Sequence, residues 1–159
     1  MIRFYARVID KLAAAALAGA AVLLAGMSLV VVYTVAQRYL LGRTPYWAEE
    51  LPRLLLVWTA FLGAIAAAAR GGHLSAGILP LIVRGEAPLR AISRVRLVAA
   101  LVVCGVMAKA AYDLSILTAG QLTAAMQISA SWSYAAAAVG FGGLGLVFLA
   151  RTLSARPEA

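Results

Sequence analysis

Charge is confined to short borders between long apolar runs: residues 12–36, 54–69 and 114–150 carry none. At 1.5 Å per residue, a helix needs about 20 apolar residues to cross a hydrocarbon core about 30 Å thick. The pattern predicts four transmembrane helices, over 12–36, 51–69, 97–118 and 132–150. The run 114–150 is too long for a single span, and the polar cluster Gly120, Gln121, Thr123, Gln127, Ser129, Ser131 and Ser133 marks the turn within it. Irregular backbone in lipid leaves polar groups unsatisfied, so this turn is expected at a membrane surface or under protein cover.

Composition settles the class. The 159 residues are 64% hydrophobic and 13% charged, with a mean hydropathy of +0.94. That is too little polar surface for a soluble domain. The expected fold is an all-α integral membrane protein, a single membrane domain over 1–159. Arg3, Arg7 and Lys11 before an Ala-rich stretch imitate a secretory signal, but the apolar run that follows is long enough to be a retained span. The net charge of +8 sits beside the spans rather than on a soluble face. It suits membrane phospholipids, and no nucleic-acid partner is expected.

Basic residues also predict orientation. Arg3, Arg7 and Lys11, then Arg70, Arg84, Arg90, Arg94 and Arg96, then Arg151 and Arg156 fall on one side; Arg38, Arg43 and Arg53 fall on the other. The positive-inside bias places both termini in the cytoplasm and the connections 37–50 and 119–131 outside, with Trp47 and Trp132 at the outer interface. Short interfacial amphipathic helices are expected on the inner side. Arg3, Arg7 and Lys11 form a basic stripe, Leu89, Ile92 and Val95 recur at helical spacing beside Arg90 and Arg94, and the apolar run 74–83 is too short to span.

Chemistry within the spans is sparse. Lys109 and Asp113, four residues apart, share a helical face. They fit either an ion relay or a structural pair near the outer end of span three; a relay needs further charged partners, so the structural pair is preferred. His73 is the only histidine, which excludes a bis-histidine haem or a histidine-rich metal site within one chain. Cys104 is the only cysteine, so no intrachain disulfide forms, and a packed apolar role is expected. No nucleophile-and-base arrangement is present, and neither an enzyme nor a cofactor is expected. Helix packing is better provided for, with small residues at four-residue spacing: Ala136 and Gly140, Ala138 and Gly142, Ala60, Ala64 and Ala68, Gly63 and Ala67.

The start of span two is the densest motif. Thr44 can cap a helix with Pro45 at its first position, Glu49 and Glu50 stand within ion-pair reach of Arg53, and Pro52 starts a new turn or kinks the helix. Arg38-Tyr39, Pro45, Trp47, Glu49-Glu50, Arg53 with Leu-Leu-Leu-Val-Trp, Phe61-Leu62-Gly63 and Arg70-Gly71-Gly72-His73 together resemble the small, DctQ-like membrane subunit of tripartite ATP-independent periplasmic (TRAP) transporters. The resemblance implies a bacterial inner-membrane protein that supports a large, DctM-like elevator subunit. That subunit would hold the substrate and sodium sites, and a DctP-like periplasmic receptor would deliver organic anions such as carboxylates. It further implies that Arg38, Trp47, Glu49, Glu50, Arg53, Arg70, Gly71, Gly72 and His73 serve partner contact. A small four-helix exporter and a membrane anchor of a respiratory enzyme are the alternatives. The first lacks an acidic residue in span one, and the second lacks histidines for haem.

Overall fold

The computed structural model describes residues 2–70 and 86–153. Four helices account for nearly all of them: α1 (Ile2–Leu40), α2 (Glu50–Ala69), α3 (Glu86–Leu117) and α4 (Ser131–Leu153). Within them Ile9–Leu40, Glu50–Ala69, Val95–Leu117 and Ser131–Ala150 are long and apolar enough to cross a membrane. The boundary between the third and fourth spans falls within a residue of its expected place.

Each helix forms and stops for a local reason. Ala, Leu and Val fill α1 without a proline, so it runs unbroken for about 58 Å. It ends where Gly42 takes a left-handed φ of 63° and turns the chain back. Pro52 and Pro88 stand in the first turns of α2 and α3, where a missing N–H breaks no helical bond. Hydroxyls that face apolar surroundings bond to their own helix: Ser28 to the Leu24 carbonyl, Thr59 to that of Leu55, and Thr118 to that of Leu114.

Two sequence expectations change here. Helix α2 starts at Glu50, so Thr44 caps nothing; residues 46–49 form turns, with the Ala48 N–H on the Pro45 carbonyl and the Leu51 N–H on the Trp47 carbonyl. The basic stripes before spans one and three are the opening turns of α1 and α3 rather than separate helices, because no helix breaker separates them from the spans. The run 74–83, with Gly71, Gly72 and His73, lies outside the described residues.

The helices pack as a row in the order α1, α2, α4, α3, with α1 and α4 barely touching. Adjacent pairs in sequence run antiparallel, and α2 runs parallel to α4. Ala16 of α1, Ile65, Ala66 and Ala68 of α2 and Val147 of α4 form the buried core, joined by Leu12, Leu62, Ala69 and Leu144. That core sits toward the Arg70 end. Midway along, Phe61 and Ile65 of α2 fill the spaces left by Gly140 and Gly143, and Phe61 meets Phe141 edge to face at 5.4 Å.

The small-residue pairs therefore divide by face. Ala136 and Gly140 are buried against α2, whereas Gly142 and Gly63 open onto empty space and Ala60, Ala64 and Ala67 are exposed. Ala68 of that α2 series is buried in the core, and midway along α2 bulky Phe61 and Ile65 do the packing because the glycines opposite leave room for large side chains. Cys104 is buried against Gly145, the packed apolar role its sequence context implied. Gly140→Ala is expected to destabilise the bundle by about 1–3 kcal/mol through overlap with Phe61. Gly142→Ala should leave the midpoint unchanged within error in detergent thermal unfolding.

Candidate functional site

The residues that sequence singled out gather at two ends of the row. Arg38, Trp47, Glu49, Glu50 and Arg53 lie at the end where α2 and α4 begin; Arg70 caps the far end of α2, its N–H on the Ala66 carbonyl. Trp132, in the first turn of α4, shares the Glu50 end and is exposed.

Glu50 makes the longest-range contact of this group. Its Oε1 accepts the Ala125 N–H at 2.9 Å and its Oε2 the Met126 N–H at 2.8 Å. One carboxylate thus holds two consecutive amides at the tip of the 118–130 connection. The Thr123 hydroxyl is buried beside the same carboxylate, outside direct hydrogen-bond geometry. The local ion pairs expected of Glu49 and Glu50 with Arg53 do not form within 4 Å among the described residues. Two fixed backbone donors compete well with a guanidinium on a long stem, whose ordering costs side-chain entropy.

The connection that Glu50 grips is itself ordered. Leu122 and Ser129 pair as an isolated antiparallel bridge, with the Thr123 N–H on the Ile128 carbonyl and the Ala130 N–H on the Gln121 carbonyl, both at 2.8 Å. Gln127 closes the turn in the left-handed region at φ 54°. The Ser129 hydroxyl lies 2.8 Å from both the Ala119 carbonyl and the Ser131 hydroxyl, tying the end of α3 to the start of α4. The polar cluster read from sequence is therefore a compact hairpin.

A second latch lies beside the first. Trp47 is half-buried and stacks on Tyr33 of α1, the rings 6.0 Å apart and 5° from parallel, and Gln37 donates to the Tyr33 hydroxyl at 2.7 Å. Sequence reading missed Tyr33, Gln37, Ala125 and Met126. The last two contribute only backbone, so no side-chain signal could have found them. Arg38, Glu49 and Arg53 remain exposed.

Lys109 and Asp113 form the ion pair that their spacing implied, at 2.6 Å, on the open face of α3. The arrangement holds a shape; it brings no nucleophile, base or relay chain together among the described residues.

The family model for the DctQ component of tripartite ATP-independent periplasmic transporters matches residues 27–157. The chain belongs to the DctQ family. It is a multi-pass membrane component of a TRAP transporter and not an enzyme, which removes the exporter and respiratory-anchor alternatives. As part of a tripartite system, a DctQ component implies DctM and DctP counterparts. No individual curated protein matches this DctQ chain.

Glu50→Gln puts an amide NH₂ against a backbone donor and should raise hydrogen exchange at Ala125 and Met126 about tenfold, while Glu49→Gln leaves both amides protected. Trp47→Ala is expected to lower the stability of the purified chain by about 0.5–1.5 kcal/mol through loss of the Tyr33 stack, read from the midpoint of thermal unfolding.

Proposed function

We propose that this DctQ chain is the static small subunit of a sodium-coupled, receptor-dependent importer of organic anions such as carboxylates. It is seated in the bacterial inner membrane with both termini in the cytoplasm. A large elevator-type subunit carries the substrate and sodium sites and moves against it; a periplasmic receptor delivers the anion. The chain binds no cofactor and no substrate, and its whole length acts as one membrane domain.

The observation that carries this reading is where the polar groups go. Among the described residues, Ser28, Thr34, Thr59, Thr118 and Thr152 bond to carbonyls of their own helix. Glu50 and Trp47 latch connections to the bundle, and the Lys109–Asp113 pair faces away from it. Polar chemistry thus maintains shape instead of lining a path, as a scaffold requires. The orientation rests on the basic residues clustered toward the Arg70 end and on Trp47 and Trp132 at the other.

Within this reading, Glu50 and Trp47 hold the periplasmic connections in one conformation. Arg38, Glu49 and Arg53 are then presented to the large subunit or the receptor. Arg70, with Gly71, Gly72 and His73, is assigned to the cytoplasmic end of span two.

Co-expression with a DctM-like large subunit from the same source is expected to yield a co-purifying complex whose uptake needs both proteins and a sodium gradient. Vesicles holding this chain alone should move no solute; robust flux from it alone overturns the assignment. Glu50→Lys should depress complex yield or uptake several-fold, because a cation cannot accept the loop amides. Normal values for both would remove Glu50 from its role.

A further inference from the structure

The row of helices has two free edges, and their chemistry differs. At one edge, the face of α1 opposite its packed Ala13, Ala16 and Ala20 exposes Val22 and Leu29, both 71% accessible, in a segment with no charge from 12 to 36. Lipid satisfies such a surface fully. At the other edge, α3 packs on α4 through Cys104, Ala111 and Thr118 and turns its opposite face outward. There Val95, Val98, Val102, Lys109 and Ile116 recur at spacings of three, four or seven residues, the ridge of a helix that packs on another helix.

Charge interrupts that ridge at depth. Lys109 and Asp113 have side chains 78% and 57% accessible, and the midpoint between them lies about 9 Å inside the end of the span at Leu117. The two side chains satisfy each other through one hydrogen bond. The remaining ammonium hydrogens of Lys109 meet no described residue, and lipid tails offer no acceptor. Ionisable groups at such depth face protein or water in stable membrane proteins.

We infer that the α3 edge, centred on Val102, Val106 and the Lys109–Asp113 pair, is the surface on which the large partner subunit docks. The partner lays a transmembrane helix along the ridge and supplies a hydrogen-bond acceptor to the Lys109 ammonium. The α1 edge faces lipid. This inference rests on the small-subunit reading above and adds which side of the row that subunit uses. A second copy of this chain fits the edge poorly. Inserted the same way up about an axis along the membrane normal, it would set Lys109 against its own equivalent, and like charges at depth repel.

The test uses the co-expressed complex. The photo-crosslinking residue p-benzoylphenylalanine is placed at Val102 or Val106 on α3, and at Val22 or Leu29 on α1, followed by irradiation of intact membranes. Adducts with the large subunit from the α3 positions, at least fivefold above those from α1, are expected. Adducts with a second copy, adducts with lipid alone, or α1 yields equal to or above α3 overturn the inference. The double variant Lys109→Leu with Asp113→Leu supplies an independent readout. Complex recovery should fall about tenfold while recovery of the chain expressed alone holds or rises. Unchanged or improved complex recovery means that the pair faces lipid and overturns the inference. If the double variant fails to insert, the crosslinks decide. If the unaltered chain does not co-purify with the large protein, the small-subunit reading fails first, and that outcome is separate from a complex that forms through another face.

Discussion

The Glu50 carboxylate accepts two consecutive backbone N–H groups from the 118–130 connection, and that end of the bundle is organised around the contact. Non-helical backbone surrounded by lipid tails must find partners within the protein, because the tails supply none. The hairpin satisfies some of its own groups through the Leu122–Ser129 bridge and the Ser129 hydroxyl. Glu50 supplies acceptors for the amides at its tip. A carboxylate suits the position twice over, since it offers two oxygens to two donors and sits at the positive end of α2.

The Arg70 end is held by different physics. Ala16, Ile65, Ala66, Ala68 and Val147 close together through shape, where small side chains let backbones approach and Ile65 fills the space beside Gly143. In lipid this packing acts through dispersion and steric fit, without the hydrophobic drive of a water-soluble core. Polar latches hold one end and close apolar packing the other, which is the rigidity the proposed small-subunit role calls for.

The row arrangement also explains why so little of the chain is buried. Each helix packs closely against only one or two others, so both flat faces and both edges remain open to lipid or partner. The row leaves Lys109 and Asp113 exposed on a free edge.

Much of this was legible in the order of residues. Apolar runs and their charged borders determine four spans and their limits, because the thickness of a bilayer sets helix length directly. The i, i+4 spacing of Lys109 and Asp113 determines their pairing, because neighbours on one helical face need no tertiary help. The motif around Glu49, Glu50 and Arg53 lies at the end of span two that latches the hairpin, but local reading pairs its charges with one another. Only the tertiary structure decided that Glu50 reaches amides seventy-five and seventy-six positions away, that Trp47 lies on Tyr33, and that Gly140 is packed while Gly142 is open. Those outcomes depend on which helices become neighbours, and in an Ala-rich chain many faces are small enough to pack. Backbone donors such as Ala125 and Met126 carry no side-chain signature, so no reading of residue types could have named them.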